Sequence, residues 1–140
     1  MKNFIKIIFI LIGFSIIGTF VYSLYINHFD FNKASVLGYK LNNVLSGSMS
    51  PVINTDDYVL SKTIKYEDIK IGDIITYQCK SKVKGYEQYE NAIIIHRVIE
   101  KNDEYLITKG DANEINDPWN VYPNDIISKC VYNINTTTKL

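Results

Sequence analysis

Between Phe4 and Ile26 the chain is almost wholly apolar, with Lys6 the only charge. That length meets the ~20 residues an α-helix needs to cross a bilayer. A cleaved leader would instead carry an apolar core of ~7–15 residues and close on a small-x-small site. Here the run is longer and brings Tyr22, Tyr25 and Asn27 at its end, so a retained membrane helix is expected. Lys2 and Lys6 place the N-terminus on the cytoplasmic side, an asymmetry that Lys33 and Lys40 beyond the helix weaken. The remainder of the chain then lies outside the cytoplasm.

Beyond such an anchor, 140 residues leave room for one further domain, since a useful core takes ~100 residues. Basic and acidic residues balance at 15 each, and a chain with no field of one sign has no electrostatic footprint for nucleic acid. The expected division is an anchor over 1–27, a linker over 28–43 and an extracytoplasmic domain over 44–140. Residues 28–41 lack a clear period and suit a linker or an irregular first strand. The tail Asn135–Leu140, "NTTTKL", is too short for a second membrane helix.

The outer domain reads as β. Tyr58–Ser61, Asp73–Cys79, Ala92–Glu100, Glu104–Lys109 and Asp125–Ile134 are short runs rich in Ile, Val, Tyr and Thr. Turn-forming clusters separate them: Asn54-Thr55-Asp56-Asp57, Gly72-Asp73, Lys101-Asn102-Asp103 and Gly110-Asp111. "YEDIK", Tyr66–Lys70, allows one helical turn before the Asp73 strand, and the polar stretch Lys80–Asn91 reads as a solvated surface loop. The fold class is mainly β: an N-terminal transmembrane helix followed by a compact antiparallel β domain. Cys79 and Cys130 each sit in apolar-polar alternation at a spacing that matches no zinc template. A disulfide is chemically open to them, and buried free thiols are the expected state.

Five polar residues stand in apolar or turn settings that could carry chemistry: Ser46, Ser48, His96, Asp111 and Asp117. A serine hydroxyl is a poor nucleophile at neutral pH unless a base takes its proton, and imidazole is suited to that work. A carboxylate on the far ring nitrogen fixes the tautomer and stabilises the imidazolium. The chain has two histidines, and His28 abuts the membrane segment, which leaves His96 as the candidate base. Each residue also has a structural explanation. His96 shares one strand face with Ile94 and Val98, Lys109–Asp117 can be an Asx-rich turn, and "SGSMSP" can be a loop of capping hydroxyls.

Taken in order, "SGSMSP", "IKIGDII", "IIHRV" and "TKGDANEIND" behind one N-terminal membrane helix resemble the type I signal peptidases, and within them the ER-type branch. The resemblance covers roughly Val44 to Asp117. It implies a signal-peptidase-like β fold and a serine endopeptidase that removes signal peptides from exported preproteins. By residue it implies Ser48, before Met49, as nucleophile. It puts His96 where the bacterial branch has a lysine base, and it matches the two family aspartates to Asp111 and Asp117. Asp117 is the favoured partner of His96, with Asp111 bracing the site or serving as the alternative partner. The Ser48 backbone N–H, assisted by the Ser46 hydroxyl and turned by Gly47, is the implied oxyanion site. Met49 and Pro51 frame a substrate groove, Met49 having core packing as its equal alternative.

The implied reaction needs no cofactor. Implied partners are signal-peptide-bearing preproteins, the lipid bilayer and an accessory membrane subunit, at the cell membrane with a single pass. The chain departs from the pattern at Ser50, where an acidic residue is common, at Asn116, and in ending without a C-terminal membrane helix. Two other readings stand beside this one. An anchored, non-catalytic β-domain would bind a secreted or surface protein, and a Ser–Lys peptidase would depend on Lys62 or another lysine.

Overall fold

Twenty-five residues without an acidic side chain, dense in Ile, Leu and Phe, form the helix α1, Lys2–Ile26. It is apolar on all sides, and its residues of described exposure are exposed or half-buried. Its Lys2–Ser23 span is long and apolar enough to cross a membrane. A computed structural model of the chain describes residues 2–26, 35–135 and 138–140. Residues 28–34 of the expected linker, His28 and Lys33 among them, together with Thr136 and Thr137 of the tail, lie outside the described residues. The chain divides into two compact units, residues 1–40 and 41–140.

All five β runs read from the sequence are strands. They are β2 (Tyr58–Lys62), β3 (Ile74–Gln78), β4 (Ile93–Lys101), β5 (Leu106–Lys109) and β6 (Ile126–Asn133). Two more join them: β1 (Tyr39–Asn43), inside the expected linker, and the short β7 (Thr138–Lys139). The sheet order is β1-β2-β6-β3-β4-β5, with β7 beside β6. The β2–β6, β6–β3, β3–β4, β4–β5 and β6–β7 pairs are antiparallel. A 3-10 turn over Tyr66–Asp68 stands where "YEDIK" allowed one.

Strand alternation sorts the side chains into two cores. On β4, Ile94, His96 and Val98 are buried while Ile93, Ile95 and Arg97 are more open. The strand β3 is buried along Ile74–Tyr77, because both its faces are covered. Ile75 and Tyr77 join Ile94, Val98, Leu106, Trp119 and Val121 in one cluster. Ile74 joins Val44, Met49, Ile53, Val59 and Cys130 in the other. Cys79 and Cys130 are both buried free thiols, one in each cluster. Burial raises both thiol pKa values, so each is an inert core group.

The Lys80–Asn91 stretch departs from a simple solvated loop. A 3-10 turn over Glu87–Tyr89 brings Tyr89 to 5.4 Å from the Trp119 ring, and Tyr86 meets it edge-on at 6.1 Å. The aromatic bodies of an otherwise charged segment gain more against an indole than in water, so the loop folds back as a cover.

Candidate active site

Ser48 lies in a loop closed at its neck by two backbone bonds, Val44 N–H to the Asp57 carbonyl (2.9 Å) and Asp56 N–H to the Val44 carbonyl (2.8 Å). The Asp57 carboxylate tightens the neck by accepting from Asn54 N–H (2.9 Å) and Asn133 Nδ2 (2.8 Å). Within the loop, Ser50 N–H bonds the Gly47 carbonyl at 3.0 Å and Ile53 N–H bonds the Met49 carbonyl at 3.0 Å. Met49 and Ile53 are driven inward as core residues. Met49 is 1% exposed, so of its two expected places it takes the core and not the groove. Ser46, Gly47 and Pro51 are exposed at the surface around the half-buried Ser48.

The structure brings Ser48, His96 and Asp117 into hydrogen-bond reach. His96 Nε2 is 3.1 Å from Ser48 Oγ, and His96 Nδ1 is 2.7 Å from Asp117 Oδ2. Both the imidazole and the carboxylate are nearly sealed from solvent, at 8% and 5% side-chain exposure. A carboxylate accepts only, so the short Nδ1 contact places the proton on Nδ1 and leaves the Nε2 lone pair for the serine hydroxyl. Ser46 Oγ stands 3.3 Å from Ser48 Oγ. His96 arrives there because the sheet register puts it opposite Ile75, on the inward face of β4.

Asp111 is placed elsewhere. Its two oxygens accept from Arg97 Nε at 2.8 Å and Nη2 at 2.6 Å, a bidentate pair, while Arg97 Nη1 bonds the Gly72 carbonyl at 2.8 Å. The hydrogen bonds it donates to Asp111 hold the Arg97 guanidinium still more firmly charged, against the opposing effect of its partial burial. The backbone of the same turn reaches the Ser48 loop: Ala112 N–H donates to the Ser48 carbonyl at 2.9 Å. Gly110 is required there, because a Cβ would lie 2.6 Å from that carbonyl oxygen.

Three further residues surround Asp117 that sequence reading did not single out. Thr108 Oγ1 donates to Asp117 Oδ2 at 2.6 Å, Tyr77 OH donates to the same oxygen at 3.0 Å, and Trp119 Nε1 donates to Tyr77 OH at 3.1 Å. Burial, then the Asp117 charge, push the Tyr77 phenol far above its ordinary range, so it stays protonated as a donor. Their only trace in the sequence is strand alternation. Tyr77 pairs with Ile94 and Thr108 with Val98, which puts both beside His96 once the register is known.

The chain is 36% identical to Signal peptidase I W of Bacillus subtilis over 86 residues, 58% of this chain and 40% of that protein. It is 35% identical to the signal peptidase complex catalytic subunit SEC11 of Clavispora lusitaniae, over 53% of this chain and 42% of that protein. The human signal peptidase complex catalytic subunit SEC11C matches at 34%, over 53% of this chain and 37% of that protein. The chain thus has signal peptidase homologues, and the aligned part is about two fifths of their length. No family model and no solved structure matches.

Proposed function

We propose that this chain is a membrane-anchored serine endopeptidase that removes N-terminal signal peptides from exported preproteins, with Ser48, His96 and Asp117 as its catalytic residues. The carrying observation is the unbroken line from Ser48 Oγ through His96 to Asp117 Oδ2, at 3.1 and 2.7 Å, in a chain homologous to signal peptidases.

In the first step Ser48 Oγ attacks the scissile carbonyl while its proton passes to His96 Nε2. Asp117 stabilises the imidazolium across Nδ1. Negative charge forms on the former carbonyl oxygen, where the Ser48 backbone N–H and the exposed Ser46 hydroxyl serve as donors. Collapse of the tetrahedral species breaks the C–N bond, and the proton on Nε2 leaves with the new amine. Water then gives its proton to Nε2 and attacks the acyl-enzyme, releasing the cleaved signal peptide and restoring Ser48. Asp111 takes no proton in this scheme. It fixes Arg97 and the turn that holds the Ser48 carbonyl.

The apolar helix Lys2–Ser23 supports an anchored enzyme, with the N-terminus cytoplasmic and the β domain outside. Confinement to the surface where preproteins emerge raises the effective concentration of substrate with no added contact. Two relatives are named catalytic subunits of a complex, which supports an accessory membrane subunit as a partner here.

The test mixes the detergent-solubilised chain with a preprotein and reads the new N-terminus by mass spectrometry. Cleavage is expected after a small residue and is lost by about 10⁴-fold or more in Ser48→Ala. Unimpaired cleavage by that variant overturns the nucleophile assignment. Inertness of the wild type with tight binding to an exported protein supports the non-catalytic reading instead.

A further inference from the structure

Resting on the peptidase reading above, we propose that Thr108 is a positioning residue whose hydroxyl, together with that of Tyr77, holds the Asp117 carboxylate in the orientation that addresses His96. Three donors converge on the one oxygen Oδ2: His96 Nδ1 at 2.7 Å, Thr108 Oγ1 at 2.6 Å and Tyr77 OH at 3.0 Å. Thr108 and Tyr77 are fully buried, and their hydroxyls are 3.1 Å apart. Trp119 Nε1 fixes the phenol from behind, under the cover of Tyr86 and Tyr89.

The geometry points to Thr108 as the principal member. Its hydroxyl makes the shortest of the three bonds, and its carbonyl also accepts the Asp117 N–H at 2.8 Å. One residue of β5 therefore grips Asp117 at both main chain and side chain. Asp117 stands in the irregular stretch after β5, and an aspartate on a loop has rotamers that face away from His96. The hydroxyls supply what the loop does not: a fixed carboxylate plane, and a sharing of its negative charge that limits how strongly it holds the imidazolium.

Thr108→Val and Thr108→Ser separate this role from packing. Valine keeps the shape and loses the hydroxyl; serine keeps the hydroxyl and opens a methyl-sized gap in a fully buried site. If Thr108 only fills space, Val is the better replacement. If its hydroxyl positions Asp117, Ser stays within about threefold of wild type, while Val lowers kcat up to about 100-fold with KM unchanged, because Thr108 acts through Asp117 and not on the substrate. A Ser variant as impaired as Val, or more so, overturns the proposal.

A second readout does not depend on turnover. The His96 ring-proton titration is followed by NMR in the solubilised chain and assigned by its absence in His96→Gln. The groups facing the imidazole are Asp117 and Ser48, with Tyr77 of β3 and Cys79, just past its end, beyond Asp117; Arg97 is engaged by Asp111. The midpoint is expected to rise in Thr108→Val, as the carboxylate regains charge toward the ring, and to return to wild type in Thr108→Ser. In a chain that cleaves no preprotein, the peptidase reading falls and this titration alone decides: an unchanged midpoint in Thr108→Val overturns the proposal.

Discussion

His96 and Arg97 are neighbours on one strand, and each binds an aspartate from the stretch after β5, yet the two pairs are suited to different work. The pleat sends His96 inward to Asp117, at 8% and 5% side-chain exposure, and Arg97 outward to Asp111, at 28% and 16%. An imidazole in hydrogen-bond reach of a hydroxyl can move a proton; a guanidinium locked in a bidentate pair cannot. One pair is fit for chemistry and the other for holding a turn still. The lesson is that a buried ion pair beside a candidate nucleophile is weighed by whether its cation can titrate.

The sharpest way to break this comparison is to neutralise each aspartate in turn. Asp117→Asn is expected to lower preprotein cleavage by about 10⁴-fold, because an amide leaves Nδ1 without its carboxylate and permits the wrong tautomer. Equal loss in Asp111→Asn would erase the distinction. Gly110→Ala is next: its Cβ meets the Ser48 carbonyl at 2.6 Å, so the Ser48 loop must shift, at an expected cost of about 100-fold in turnover. Asp111→Asn follows with about 10-fold, together with about 1–2 kcal/mol of stability read by urea unfolding, a figure discounted for the partial exposure of the pair. Adding Arg97→Gln to that variant is expected to cost little more, since the partner is already lost.

The smallest effect is on stability at high pH. Tyr77 and Cys130 have pKa values raised above their ordinary 10.0 and 9.0, so the folded state holds these protons more tightly than the unfolded chain. Their contribution is complete below those ordinary values and is lost as pH rises past about 9 for the thiol and about 10 for the phenol. Tyr77→Phe is therefore expected to flatten the alkaline fall in urea midpoint above pH 10. Arg97, with its raised pKa, gives no such fall in that range.

Much of the architecture was legible because Ile, Val, Tyr and Thr runs between turn clusters state the strands directly. The β1 strand was less so, since Tyr39–Asn43 has three polar residues in five and gains its place from lying beside β2. At the site, residue types named Ser48, His96 and both aspartates. They did not name Thr108 or Tyr77, whose relevance depends on the β3–β4–β5 register, nor sort Met49 into the core, where its neighbours are distant in sequence. The Lys80–Asn91 loop read as solvent-facing because charge dominates its composition, while two tyrosines fix its fold.

The sheet order carries a consequence for synthesis. Among the described residues, the β2 strand, which follows the Ser48 loop, and the β3–β4–β5 strands, which carry His96 and lead to Asp117, are joined within the sheet only by β6. That strand is translated after all three residues. Until residues 126–133 emerge, the strand beside Ser48 and the strands carrying His96 have no common sheet, and β2 and β3 present unpaired edges to the surroundings. The nascent chain is thus expected to be catalytically silent, its activity switched on by the arrival of one late strand.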